Sequence, residues 1–239
     1  MTGYLITGAR SGIGLESVRQ LSQSAGNTVV ACVRSLQGDL EALRTVVEHQ
    51  DVKATTHIME VDLASPSSIT SLPSRLPQDF SIDVLIQFAS VLLSDDRTAT
   101  ALELNYDLMQ KTFESNVTGP VLLLQALQSR LSLGARVVHV SSGLASLGLT
   151  ADGIIPLQYP AYNMSKAALN MFTAHASQLL KGKAIVISMD PGWVKTQMGG
   201  PNANLHPHES AGGILGVVER LNEADSGKFF SYDGTSPPW

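Results

Sequence analysis

The chain has 239 residues, 44% of them apolar and 15% charged, and a net charge of −5. That apolar share supplies a large buried core and excludes a disordered chain. An acidic balance with scattered Lys and Arg leaves no footprint for nucleic acid or an anionic membrane surface, and Cys32, the single cysteine, excludes an intramolecular disulfide.

The amino terminus, Met1-Thr2-Gly3-Tyr4-Leu5-Ile6, runs straight into an apolar, strand-like stretch. It lacks the basic start, long apolar run and small-residue site of a signal peptide. No uninterrupted apolar run approaches the ~20 residues that span a bilayer. The expectation is a cytoplasmic protein without a membrane partner.

Short β-branched and apolar runs recur at 5–7, 28–33, 82–86, 136–140 and 184–187. A third strand is expected ahead of Asp62, and a last one near 227–232. Near-continuous apolarity suits strands buried on both faces. Longer segments with helical spacing lie between them. Ile13, Val18 and Leu21 mark the first, and 161–180 forms another. Leu108, Phe113, Val117, Leu124 and Leu127 mark a helix over 106–131, which Gly119-Pro120 kinks without breaking.

Strand and helix in alternation predict an α/β fold: a Rossmann-type, doubly wound parallel sheet of about seven strands with helices on both faces. No linker and no repeat divides the chain. Residues 1–239 therefore read as one domain.

Thr7-Gly8-Ala9-Arg10-Ser11-Gly12-Ile13-Gly14 follows the first strand and opens the first helix. Glycines there let the chain turn sharply and bring backbone close to a pyrophosphate, which the N–H groups and dipole of the helix start then hold. Gly8, Ser11, Gly12, Ile13 and Gly14 are the expected phosphate contacts, and Arg10 in the same loop is a second cation, beside Arg34, for a 2′-phosphate. The tip of strand two lies beside the adenosine ribose in such folds. It reads Ala31-Cys32-Val33-Arg34-Ser35, without an acid to bind a 2′-hydroxyl. Arg34 suits a 2′-phosphate, so the expected cofactor is NADP(H).

Tyr162 and Lys166 stand one helical turn apart. Hydride transfer to a ketone requires a proton for the nascent alkoxide. A free Tyr titrates near 10 and needs a neighbouring ammonium to cycle between acid and base near neutrality. Ser141-Ser142 ends the fifth strand, on the carboxyl edge where ligands bind in open α/β sheets; either serine fits that position.

The T-G-x-x-x-G-x-G loop, the Tyr162–Lys166 pair, Ser141-Ser142, Asn116 and the Pro191-Gly192-Trp193-Val194-Lys195-Thr196 stretch resemble the short-chain dehydrogenase/reductase family over essentially the whole chain. YNMSKAALNM, DPGWVKTQMGGPN and the ending from Gly227 are similar to its carbonyl reductase branch that includes sniffer and the bacterial C-factor. The resemblance implies that Ser142, or Ser141, binds the substrate oxygen and that Tyr162 delivers the proton. It implies that Lys166 and Asn116, through a water, complete a relay. Asp62 and Leu63 then contact adenine, while Ala89, Pro191, Gly192, Val194 and Thr196, with Tyr162 and Lys166, line the nicotinamide side. It also implies a homodimer or homotetramer built through 106–131 and 161–180.

Two departures stand out. Gln87-Phe88-Ala89-Ser90 replaces the family's N-N-A-G, and Ser142 stands further from Tyr162 than in many relatives. The added loop, 143–160, carries Leu144, Leu147, Leu149, Ile154, Ile155, Leu157 and Tyr159. With Trp193 and Met198 it suggests an apolar wall and a small hydrophobic carbonyl or alcohol substrate. His206-Pro207-His208-Glu209 reads as a polar helix start rather than a metal site, and His139 as structural.

The expected activity is NADP(H)-dependent interconversion of a carbonyl and an alcohol. The rivals are a non-redox dehydratase, isomerase or cyclase on the same fold, and an NADPH-sensing protein without turnover.

Overall fold

The computed structural model describes residues 1–239. Strands β1 (Thr2–Thr7), β2 (Asn27–Val33), β3 (Thr55–Glu60), β4 (Ile82–Gln87), β5 (Leu131–Val140), β6 (Ala184–Asp190) and β7 (Phe229–Ser231) form one sheet of seven. Their order is β3-β2-β1-β4-β5-β6-β7, and every neighbouring pair is parallel. The connection reverses direction across the sheet between β1 and β4. Ligands of open parallel sheets bind at such a switch point, beyond the strands' carboxyl ends.

Side chains of successive strand residues fall on opposite faces, and both faces are dry. Ile6, Val29, Ala31, Val84, Ile86, Val138, Ile187 and Met189 enter one core cluster; Leu5, Val30, Cys32, Leu85, Val137 and Val186 enter the other. The first face is covered by α1 (Gly12–Leu21), α2 (Glu41–Val47) and α8 (Pro207–Arg220), through Val18, Leu21, Leu43, Ile214 and Val217. The opposite face is covered by α3 (Pro66–Arg75), α5 (Gly119–Leu127) and α7 (Pro160–Leu179), through Ile69, Leu72, Leu123, Leu127 and Ala176.

The expected helix over 106–131 is in fact composite. Helix α4 (Tyr106–Phe113) passes through a π-turn at Glu114–Thr118 into α5, a short 3-10 turn follows, and β5 already begins at Leu131. Its cause is local. The Gly119 N–H bonds to the Glu114 carbonyl, and Pro120 has no N–H to donate. The helical path survives, as a kink, but Asn116 loses the regular i→i−4 partner for its carbonyl.

The segment 143–160 is not all loop. A 3-10 turn at Gly143–Ala145 leads into a short helix, α6 (Leu147–Ala151). Ile155 packs inward, whereas Leu147, Ile154 and Leu157 are exposed. No helix is long and apolar enough to cross a membrane.

Candidate functional site

The turn after β1 is pinned from both sides. The Ala9 N–H donates to the Cys32 carbonyl of β2 at 3.1 Å, and the Ala89 N–H donates to Thr7 Oγ1 at 3.2 Å. Gly8 adopts a φ of +71°, and a Cβ there would sit 2.8 Å from the Ala89 nitrogen. Gly14 packs so closely that a Cβ would lie 2.4 Å from the Gly8 carbonyl oxygen. The glycines thus serve both a left-handed turn and contact of helix on strand. Helix α1 opens without a side-chain cap at Ser11 and without an acid in its first turn, so its leading N–H groups and positive dipole end are left for an anion. Arg10 and Arg34 are exposed and take part in no ion pair.

Beyond β5 the two serines separate. Ser141 is buried, and its hydroxyl donates to the main-chain oxygen of Lys166 at 3.4 Å. Ser142 is extended, half-buried, and accepts from the Leu144 N–H at 3.2 Å, with its hydroxyl interacting with Tyr162. Of the pair, Ser142 therefore belongs with the tyrosine.

Tyr162 and Lys166 come from α7 and are both buried. The Lys166 ammonium lies 5.5 Å from the Tyr162 ring centroid and donates to the Val140 carbonyl at 2.8 Å. Burial alone brings Lys166 down to about 7. Burial likewise pushes the Tyr162 phenol up to about 12, with Ser142 and Ser90 opposing the rise and Asp190 adding to it. In this low-dielectric setting the phenol carries its proton, and the charge on Lys166 is poised near neutrality.

Asn116 is fully buried in the π-turn, and its side chain is fully committed. Oδ1 accepts from the Val91 N–H at 2.8 Å and from Ser90 Oγ at 3.1 Å. Nδ2 donates to the Val91 carbonyl at 2.9 Å and to Ser165 Oγ at 3.0 Å. The segment that departs from the family pattern is therefore clamped to α7. Gln87 donates to the Pro120 carbonyl at 3.3 Å, while its own side-chain oxygen finds no partner.

After β6, Gly192 takes a φ of +74°, and Pro191 accepts from Ser210 Oγ at 2.7 Å. Val194 is buried and bridges to Leu205. Thr196 lies over the glycine loop, its Cγ2 at 3.1 Å from where a Gly12 Cβ would be. Trp193 is half exposed, and its indole donates to the Gly199 carbonyl at 2.8 Å. At the end of β3, the Asp62 carboxylate accepts from the Ala64 N–H at 3.1 Å, and Leu63 is buried.

Ser142, Tyr162, Lys166, Ser90 and Asn116 thus converge, as do Gly8 with Ala89 and Gly12 with Thr196. Arg10, Arg34 and Asp62 stand along the same carboxyl edge without contacting that cluster. His206–Glu209 forms a capping box in which Glu209 accepts from the His206 N–H at 2.7 Å. His139 is buried against Thr173 at 2.8 Å, and burial takes its pKa down to about 3.

Two residues escape the sequence reading. Asp96 is fully buried and accepts from the Ala161 N–H at 3.0 Å and the Tyr162 N–H at 2.8 Å. Asp190 accepts from the Gly143 N–H at 2.9 Å and the Gly192 N–H at 3.2 Å, joining the Ser142 turn to the loop after β6. Burial raises its pKa, and those two N–H groups oppose the rise. An acid whose partners are mostly backbone groups leaves no side-chain pattern to find; Asp190 showed only as the first residue of DPGWVKTQMGGPN, at a strand's carboxyl end.

A family model described as short chain dehydrogenase matches residues 3–205. The C-signal protein of Myxococcus xanthus is 40% identical over 161 residues, covering 66% of this chain and 93% of that protein. The carbonyl reductase Sniffer of D. melanogaster superposes with a TM-score of 0.87 at 27% identity, covering 100% of both chains. An NADPH-bound carbonyl reductase from chicken fatty liver superposes with a TM-score of 0.86 at 29% identity, covering 100% of this chain and 99% of that one.

Proposed function

The chain belongs to the short-chain dehydrogenase family, and from that membership we propose that it is an NADP(H)-dependent oxidoreductase that reduces hydrophobic or aromatic ketones and aldehydes. The observation that carries the reading is the convergence of Ser142, Tyr162 and Lys166 in a buried corner at the sheet's carboxyl edge. Likeness to an NADPH-bound carbonyl reductase supports the choice of cofactor and of reaction.

The residues present fit that cofactor. Gly8, Gly12 and Gly14 keep the turn after β1 free of side chains that its close packing could not admit, and the uncapped start of α1, with Arg10, Ser11 and Ile13 on it, suits a pyrophosphate. Arg34, in no ion pair at the tip of β2, suits a 2′-phosphate, and Asp62 and Leu63, just after β3, would contact the adenine. Ala89, Pro191, Gly192, Val194 and Thr196 would hold the nicotinamide end. When bound, NADPH supplies the hydride.

This chain's own residues do the rest. Ser142 holds the substrate oxygen and Tyr162 protonates it; the raised phenol pKa keeps that proton in place until charge develops on the oxygen. The Lys166 ammonium favours the phenolate left behind. Asn116 fastens the segment after β4 with its side chain, and its main-chain carbonyl, deprived of a helical donor by Pro120, is the group suited to a relay water. Leu144, Trp193 and Met198, with the mixed apolar surface of 143–160, favour an apolar substrate.

The experiment is NADPH oxidation followed at 340 nm with a panel of aromatic and aliphatic ketones, aldehydes and quinones. Turnover that favours apolar carbonyls supports the reading. Tight NADPH binding with no turnover across the panel would instead favour a sensing or non-redox role.

A further inference from the structure

We propose that Asp96 is the positioning residue for Tyr162: a buried carboxylate, on the turn Asp95–Arg97 after β4, that caps the helix carrying the proton donor. The proposal rests on the reading of Tyr162 as that donor.

The first turn of α7 accounts for all its leading N–H groups in an unusual way. Tyr159, before the helix, is the one non-glycine residue with positive φ, at 62°, and its side chain caps nothing. Pro160 has no N–H to satisfy. The Asn163 N–H returns to the Tyr159 carbonyl at 2.9 Å. The remaining two, on Ala161 and Tyr162 itself, both go to Asp96, at 3.0 and 2.8 Å. A helix start that would normally be capped by its own neighbouring residue is capped by one 65 positions earlier in the chain.

Asp96 is 0% exposed, and none of the ion pairs includes it. A buried, unpaired carboxylate is costly unless its oxygens are satisfied, and here the two N–H groups and the positive end of α7 satisfy them. An apolar residue would avoid the cost of burying a charge but would orphan two buried N–H groups beside the reacting tyrosine.

The turn that presents Asp96 is itself held. The Asp96 N–H donates to the Leu93 carbonyl at 3.2 Å, and Arg97 reaches across to the Met198 carbonyl at 2.9 Å and over the Tyr159 ring at 5.9 Å. Upstream, Asn116 grips Val91. The segment after β4 is thus fixed at both ends, and through Asp96 it sets where the Tyr162 backbone stands. A displacement of about 1 Å at a reacting group can cost on the order of 100-fold in rate.

Asp96→Ala, Asp96→Asn and, as a reference, Tyr162→Phe are compared with the unaltered full chain. The readouts are amide hydrogen exchange at Ala161 and Tyr162, NADPH affinity, and kcat with its solvent isotope effect on 4-nitrobenzaldehyde. The expected result for Asp96→Ala is local loss of protection at those two amides, with the rest of α7 protected and NADPH affinity within about two-fold. Its kcat falls by at least roughly ten-fold and its solvent isotope effect rises, as proton delivery becomes harder. Asp96→Asn, which keeps one acceptor, falls between.

Unchanged kcat and isotope effect in a folded Asp96→Ala chain overturn the proposal. So does failure of both Asp96 variants to fold, since Asp96 would then serve the fold as a whole. Retained turnover in Tyr162→Phe removes the premise instead, and identifies the failure as that of the proton-donor assignment.

Discussion

Asn116 and Val91 exchange two hydrogen bonds, N–H to Oδ1 at 2.8 Å and Nδ2 to carbonyl at 2.9 Å, so that one side chain closes like a β-bridge on a backbone peptide. The pairing stitches the segment after β4 to the π-turn between α4 and α5.

Asn116→Ala leaves the half-buried N–H and carbonyl of Val91 without their partner and removes the grip on Ser165. The expected cost is about 2 kcal/mol of stability, read from chemical denaturation, together with a fall in turnover. Asn116→Asp keeps the acceptor for the Val91 N–H but sets its second oxygen against the Val91 carbonyl in a fully buried site, so it is expected to cost at least as much.

Ser90 stands where the family pattern has Gly, and its hydroxyl donates to Asn116 and interacts with Tyr162. Ser90→Gly removes the bond from Ser90 Oγ to Asn116 and frees the segment after β4 beside Tyr162, so turnover should fall by about five-fold, for a bond worth about 1 kcal/mol. Unchanged turnover in the variant would contradict this role.

The pH dependence of reduction follows from Lys166. Burial lowers its pKa to about 7, so the ammonium is present below that value and lost above it, while Tyr162 stays protonated up to about 12. The logarithm of kcat for reduction should be level in mild acid and fall above about pH 7. In Lys166→Met the fall should disappear, at a uniformly low rate. A wild-type profile that stays level to pH 9 would contradict the assignment.

Arg34 is exposed at the tip of β2, with no acid beside it in an ion pair. A charge-assisted hydrogen bond to a 2′-phosphate is worth about 1.5–3 kcal/mol. Arg34→Ala should therefore weaken NADPH binding by about 10- to 100-fold and leave NADH unchanged, as read by fluorescence titration.

The parts of the fold that announce themselves in the sequence are those where both faces of a strand are dry. Val29–Val33 reads as an unbroken apolar run, and Ile82–Ile86 as one interrupted only by Asp83, because neighbours cover them above and below. β3 is different: an edge strand reading Thr-Thr-His-Ile-Met-Glu, exposed or half-buried throughout, it carries little periodic signal. α3 is equally quiet, with its run of serines and the internal Pro73. The short α6 hides among glycines and apolar residues that also read as loop. Within the site, Ser142, Tyr162, Lys166 and the glycine turn were legible because their chemistry demands particular residue types at particular spacings. Asp96 and Asp190 were not, because their partners are backbone N–H groups brought to them only by the fold.

The most direct test of the account is Tyr162→Phe, with NADPH affinity measured beside carbonyl turnover on the same preparation. Loss of a general acid in this position should lower kcat by about 10²- to 10⁴-fold, with NADPH binding retained. Turnover within a few-fold of the unaltered chain would contradict the central claim and assign the proton to another group.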